Sequence, residues 1–183
     1  RWWANQGPRG RREWLLEYKR AIASRAEELA TLISVETGKP EEDATLEVML
    51  AIGHLDWAAK NADKVLRRRS VSAGLLMSNH AAYVEYQPYG VVGAIGPWNY
   101  PVFTPMGTLT YAMAAGNAVI FKPSEHTPGV GVWLADVWNS LGASQPLFQT
   151  ITGDGSTGAA LCTAGVDKLA FTGSAATGRK VMA

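Results

Sequence analysis

Gly90-Val91-Val92-Gly93-Ala94-Ile95-Gly96-Pro97-Trp98-Asn99-Tyr100-Pro101 is the stretch on which the reading of this chain turns. Residues 90–96 are short, apolar and rich in β-branched side chains, with glycines that permit close approach. That is the pattern of a strand buried in a parallel sheet. The strand runs into a proline-flanked loop that carries one polar amide, Asn99. Downstream, Ala118-Val-Ile-Phe121 repeats the apolar pattern and ends in Lys122-Pro123-Ser124-Glu125. A third stretch of this kind ends in Phe171-Thr172-Gly173-Ser174. Polar groups gathered where the strands of an α/β sheet end mark the usual place for a ligand.

From Gly90 onward, strands and helices alternate. A strand at 90–96 precedes a helix near 104–115, and one at 118–122 precedes a helix from about Pro128 to Leu141. A strand at 147–152 precedes a short helix from 155, and one at 168–172 precedes a helix opening at 175. The alternation predicts an α/β fold, a parallel Rossmann-like sheet with right-handed crossovers. Upstream, Trp14, Tyr18, Ile22, Arg25, Leu29, Leu32 and Ile33 keep helical spacing. They predict one helix ending near Thr37-Gly38, with Pro40 just beyond as a stop. Ala44, Val48, Ala51, Leu55, Ala59, Ala62 and Leu66 predict a second helix over 41–66. Alternation in Ala81–Tyr86 and turn chemistry at Ser72-Ala73-Gly74 and Ser78-Asn79 predict an antiparallel arm. The chain thus divides into a helical part at 1–69, an arm at 70–88 and an incomplete Rossmann-like part at 89–183.

The totals bound the function. With 183 residues, 47% of them apolar, the chain can bury a sizeable core, and a net charge of +1 argues against nucleic-acid binding by bulk electrostatics. Residues 1–85 hold 25 of the 33 charged side chains, which separates a solvated helical part from a buried-sheet part. Arg67-Arg68-Arg69, the one basic cluster, reads as a solvated helix end. A single cysteine, Cys162, can build neither a disulfide framework nor a zinc site, and His54, His80 and His126 show no ligand spacing, so no metal is expected. The cysteine usage and the lack of an apolar run after Arg1-Trp2-Trp3-Ala4-Asn5 fit a cytoplasmic protein. The uncharged stretch 86–121 is broken by prolines and is not a membrane span. The chain starts without Met and stops inside a predicted helix, as expected of a piece of a longer protein.

Each motif has a plain reading beside the functional one. Gly153-Asp-Gly155-Ser-Thr-Gly158 matches a dinucleotide fingerprint, but it is the third strand-to-helix turn and lacks the acid about 20 residues on, so a tight turn is preferred. Gly173-Ser174 sits between a strand and a helix N-terminus, where free N–H groups favour an anion, or where Ser is simply an N-cap. Lys122 and Glu125 are either a surface pair or a donor and an acceptor facing ribose hydroxyls. Asn99 is either a turn residue or an amide that donates to a developing oxyanion.

As an ordered set, Pro97-Trp-Asn-Tyr-Pro101, Lys122-Pro-Ser-Glu125 and Phe171-Thr-Gly-Ser174 resemble the NAD(P)-dependent aldehyde dehydrogenase superfamily. So do Glu36-Thr-Gly-Lys-Pro40 and Glu85 to Gly90. The resemblance covers essentially the whole chain and implies the cofactor half of that fold. It implies that Asn99 steadies the oxyanion of a thiohemiacetal and that Lys122 and Glu125, with Ser124 beside them, hold the adenosine ribose. It places Ser174, next to Gly173, on the pyrophosphate. Ile95, Gly96, Trp98 and Phe171 would line the cofactor cleft, with Gly155 near the adenine. NAD is the expected cofactor and NADP the alternative, with a small-molecule aldehyde as substrate. The arm at 70–88 matches the hairpin through which the family forms homodimers or homotetramers. The nucleophile and the general base are expected beyond Ala183, because Cys162, within Ala-Leu-Cys-Thr on a predicted helix, reads as a buried, inert thiol. Two other readings remain: an acyl-CoA or acyl-phosphate reductase on the same fold, and a non-catalytic nucleotide-binding or structural protein.

Overall fold

The computed structural model describes residues 2–183. Four helices open the chain: α1 (Trp2–Asn5), α2 (Gly7–Ser24), α3 (Ala26–Thr37) and α4 (Glu41–Leu66). The single helix predicted through Arg25 is therefore two. Arg25 leaves helical geometry with φ −121° and ψ 26°. Just before it, Ser24 Oγ donates to Ala21 O at 2.9 Å, a local bond that competes with the helical ladder. Gly38 ends α3 in the left-handed region, φ 73°, where a side chain would be strained, and its N–H donates to Ser34 O at 2.8 Å. Pro40 then opens α4, whose first turn carries Glu41, Glu42 and Asp43, the sign that the helix dipole favours there.

The arm pairs β1 (Arg69–Val71) with β2 (Ala82–Val84) in antiparallel register, Arg69 opposite Val84. The arginine run lies past the helix rather than in its last turn. Arg67 is already extended at ψ 134°, and the Arg68 guanidinium stacks 3.9 Å from the Tyr83 ring centroid.

The remaining elements alternate as β3 (Val91–Ile95), α5 (Phe103–Ala114), β4 (Ala118–Lys122), α6 (Pro128–Asn139), β5 (Phe148–Thr150), α7 (Gly155–Thr163), β6 (Lys168–Phe171) and α8 (Ala175–Met182). The four strands are all parallel, in the order β5-β4-β3-β6. The chain steps outward from β3 to β5 and then returns to the other side of β3. The strand order therefore reverses between β3 and β6, the position at which open α/β sheets leave a crevice.

The charged N-terminal part and the sheet share one core. Helix α4 packs on α5, and α3 packs on α6. Tyr18 and Ile22 of α2, Ile33 of α3 and Leu55 of α4 are fully buried together with Met106, Met113, Phe121 and Phe148 from the sheet half. Burial of side chains of this size stabilises by about 1.5–3 kcal/mol each. The charge asymmetry of the sequence thus marks outward helix faces, not a separate solvated part. Trp138 of α6 centres an aromatic cluster, edge-on to Trp3 at 5.7 Å and to Tyr18 at 5.3 Å. The polar ends are satisfied at depth: Trp3 Nε1 donates to Met113 O at 2.7 Å and the Tyr18 hydroxyl to Leu134 O at 2.8 Å. Burial pushes the Tyr18 phenol well above its ordinary pKa.

Two carboxylates cross from the N-terminal helices to the starts of sheet helices. Glu36 of α3 accepts the N–H groups of Gly129 at 2.8 Å and Val130 at 2.9 Å, in the first turn of α6. Glu47 of α4 accepts those of Val102 at 2.8 Å and Phe103 at 3.1 Å, where α5 begins. Both place negative charge where a helix leaves N–H groups unpaired.

A candidate cofactor cleft at the strand ends

The sheet register assembles the site. Ile95 at the end of β3 pairs with Lys122 of β4 on one side and with Phe171 of β6 on the other. Residues paired in register point to the same face, so these three side chains leave the sheet together. Beyond them lies a cleft of about 820 Å³, within the usual range for a small-molecule or cofactor site. Asn99, with Ile95, Gly96 and Trp98, lines it from β3 and the following loop. Lys122, Ser124 and Glu125 line it after β4, and Gly155 at the start of α7. Phe171, Gly173 and Ser174 close it after β6. All eleven residues singled out from the sequence thus meet in one place.

Local geometry explains why these residue types stand there. A Cβ on Gly96 would fall 2.9 Å from the ring of Phe121, which is fully buried and cannot yield, so only glycine lets β3 lie this close to β4. Lys122 is 3% exposed, and among the described residues its Nζ makes one hydrogen bond, to Pro123 O at 2.8 Å. An ammonium has three donors, so two remain for a ligand. Burial lowers the Lys122 pKa, while the charges of Glu125 and Asp154 act against that shift. Glu125 is exposed, and its carboxyl is held below the usual range, first by its own backbone N–H and then by the Lys122 charge and the Ser124 hydroxyl. A donor and an ionised acceptor therefore stand at one strand end.

Asn99 is exposed to the cleft. Its Oδ1 accepts the Tyr100 N–H at 3.1 Å, and its NH₂ group enters no hydrogen bond among the described residues. Ser174 is the N-cap of α8: its Oγ accepts the Thr177 N–H at 3.1 Å. The N–H groups of Ala175 and Ala176 make no hydrogen bond among the described residues, so the cap and an available helix terminus coexist. The turn at 153–158 is different. Asp154 accepts from Ser156 N at 2.8 Å and from Ser156 Oγ at 2.6 Å. The carboxylate takes the place an incoming phosphate would need, which agrees with a tight turn at Gly153–Gly158.

Cys162 is half-buried, more open than the sequence suggested, and does not line the cleft. Thr104, His126 and Lys180 line it and were not anticipated. His126 meets the Trp98 ring edge-on at 6.5 Å, a contact that no spacing announces. Lys180 had a signal: Ser174, Thr177 and Lys180 fall three residues apart on one helix face. Among the described residues, no three His, Cys, Asp or Glu side chains gather as a metal site, and no helix is long and apolar enough to cross a membrane.

The sequence model of the aldehyde dehydrogenase family matches residues 1–183. The chain is 37% identical over 177 residues to N-succinylglutamate 5-semialdehyde dehydrogenase of Chromobacterium violaceum, covering 96% of this chain and 36% of that protein. Among solved structures it superposes on an NAD-dependent aldehyde dehydrogenase from Sinorhizobium meliloti with a TM-score of 0.90 and 32% identity, over 98% of this chain and 36% of that one. An NADP-dependent enzyme of E. coli gives a TM-score of 0.91 at 28% identity, over 98% and 37%. The chain therefore spans little more than a third of the length of the proteins it matches. On the match along its whole length, with the parallel sheet and the order of its strand-end motifs in agreement, this chain belongs to the aldehyde dehydrogenase family.

Proposed function

We propose that the chain forms the cofactor side of an enzyme that oxidises an aldehyde: R-CHO + NAD(P)⁺ + H₂O → R-COOH + NAD(P)H + H⁺. The carrying observation is that the free amide of Asn99 and the Lys122–Glu125 pair share one cleft at the point where the strand order reverses. A nicotinamide dinucleotide fits the donor set. Lys122 and Glu125 would hold ribose hydroxyls, with Ser124 beside them, and the start of α8 at Gly173 and Ser174 would face the pyrophosphate. Ile95, Gly96, Trp98, Gly155 and Phe171 supply the walls. When bound, the cofactor supplies the two-electron acceptor. This chain's own contribution to the chemistry is Asn99, whose NH₂ donates to the oxygen that becomes negative when a cysteine thiolate adds to the aldehyde. That thiolate and the base for deacylation come from sequence outside 1–183, since Cys162 lies off the cleft. NAD⁺ is preferred, because Glu125 can accept from a ribose 2′-OH and repels a 2′-phosphate.

The whole protein is read as a cytoplasmic homodimer or homotetramer joined through the arm at 70–88, whose tip exposes Leu75 and Leu76 almost completely. Light scattering on the full-length protein decides that point. The catalytic reading is tested by Asn99→Ala in the full-length enzyme. We expect kcat/KM to fall by about 10²-fold or more, with cofactor Kd nearly unchanged. A loss confined to cofactor binding would sink the assignment.

A further inference from the structure

Among the described residues, no N–H of the 97–101 loop donates to a backbone carbonyl. A loop in that condition takes its shape from side chains or water. Here two side chains from the N-terminal helical part supply it. Lys39 Nζ donates to Asn99 O at 2.9 Å, and the Lys39 ammonium sits 4.1 Å from the centroid of the Tyr100 ring. Tyr100 N–H in turn donates to Asn99 Oδ1. On the far side of the loop, Glu47 Oε1 accepts from Val102 and Phe103. The two side chains are joined by an ion pair between Lys39 Nζ and Glu47 Oε2. The Glu47 side chain is 0% exposed and that of Lys39 13%. Neither lines the cleft.

We propose that Lys39 and the buried Glu47 form a positioning pair that clamps the main chain on both sides of Asn99 and so sets the direction in which its amide donates. The proposal rests on the reading of Asn99 as the oxyanion donor. Each link has a physical role. The Lys39 bond fixes the Asn99 carbonyl, and the contact with Tyr100 steadies the residue whose N–H holds the Asn99 side-chain oxygen. Glu47 anchors the loop's exit into α5. The ion pair ties the two halves of the clamp together, and removal of either partner leaves the other uncompensated. A donor aimed at a developing charge loses much of its effect when displaced by a fraction of an ångström to one ångström.

The test is a double-mutant cycle in the full-length enzyme: parent, Lys39→Met, Asn99→Ala and the double variant. Lys39→Met is expected to lower kcat by about 10-fold, with cofactor Kd within about 2-fold of the parent. The double variant is expected to be no more than about 2-fold slower than Asn99→Ala, because the lysine acts through the amide. If the two losses multiply, or Lys39→Met leaves kcat unchanged while Asn99→Ala is slow, the pair only supports the fold and the positioning role is wrong. If Asn99→Ala itself stays within about 3-fold of the parent, the reading of Asn99 fails first, and the proposal with it. Should Lys39→Met not fold, Glu47→Gln takes its place in the cycle. It keeps an acceptor for Val102 and Phe103, weakens the ion pair, and is expected to slow kcat by about 3-fold without adding to Asn99→Ala. An additive Glu47→Gln overturns the proposal as well.

Discussion

Helix α6 begins without help from its own N-cap residue, and that makes a sharp prediction. Thr127 stands at the N-cap, but its Oγ1 is buried and has no hydrogen-bond partner among the described residues. Glu36 has taken the Gly129 and Val130 N–H groups instead. Replacing Glu36 by Ala removes two charge-assisted bonds at a helix start. Bonds to a charged partner contribute about 1.5–3 kcal/mol each when buried, and loss of a cap typically costs about 1 kcal/mol. Glu36 is half-buried, so water recovers part of the loss, and about 2 kcal/mol is the reasonable figure. Glu36→Gln keeps one acceptor and should cost about 1 kcal/mol. Thr127→Val deletes a hydroxyl that has no hydrogen-bond partner among the described residues. It should be neutral or stabilising by up to about 1 kcal/mol, the reverse of an ordinary N-cap loss. Urea unfolding of the chain reads all three. With an m-value of about 2 kcal/mol/M, Glu36→Ala lowers the midpoint by about 1 M and Glu36→Gln by about half that. The reasoning is refuted if Glu36→Ala shifts the midpoint no more than an exposed substitution does, or if Thr127→Val destabilises as a cap deletion would.

Glu125→Gln should narrow the preference for NAD⁺ over NADP⁺ in kcat/KM by about 3- to 10-fold, a modest change because the carboxylate is largely exposed and screened. An intrinsic preference for NADP⁺, or no shift on substitution, would show that Glu125 does not face the ribose. Glu28 offers a pH test. Its carboxyl is lowered to about 2, first by the Arg25 guanidinium and then by the Trp133 N–H. A carboxyl depressed on folding gives stability that is present above its unfolded pKa, near 4.5, and lost as pH falls toward 2. Parent and Glu28→Gln should therefore differ in urea midpoint near neutral pH and converge as pH drops below about 3. A difference that persists unchanged in acid would rule out the ionised carboxylate as its source.

What the sequence disclosed follows the range of the interactions. The strands at 91–95 and 118–122 and the helix at 41–66 were legible because apolar periodicity is a local signal. That the eleven candidate residues gather in one cleft was legible because they lie at or just beyond strand ends, and a parallel sheet with right-handed crossovers brings all strand C-termini to one edge. The break at Arg25 was hidden, since the apolar spacing runs straight through it and only the Ser24 hydroxyl interrupts the ladder. Glu36 and Glu47 were hidden for another reason. Each occupies an ordinary helix position, and their partners lie 93 and 55 residues along the chain. The resemblance marked Glu36 to Pro40 as a motif, but a motif carries no direction. Only the packing of α3 on α6 and of α4 on α5 gives these carboxylates something to hold.

The strand order has a consequence for how the chain is made. Strand β3 gains its first neighbour early, because β4 follows after one helix. Its other edge waits for β6: Val91 N–H bonds to Asp167 across a sequence separation of 76 residues. Until the ribosome has delivered that segment, β3 presents an unpaired row of N–H and C=O groups flanked by Val91, Val92 and Ile95. Such an edge is a template for pairing with another nascent chain. The interval between β3 and β6 is thus a period of aggregation hazard for this edge in biosynthesis. A chain halted anywhere between about residue 120 and residue 167 should engage chaperones more strongly than one halted after Phe171, where β6 closes that edge.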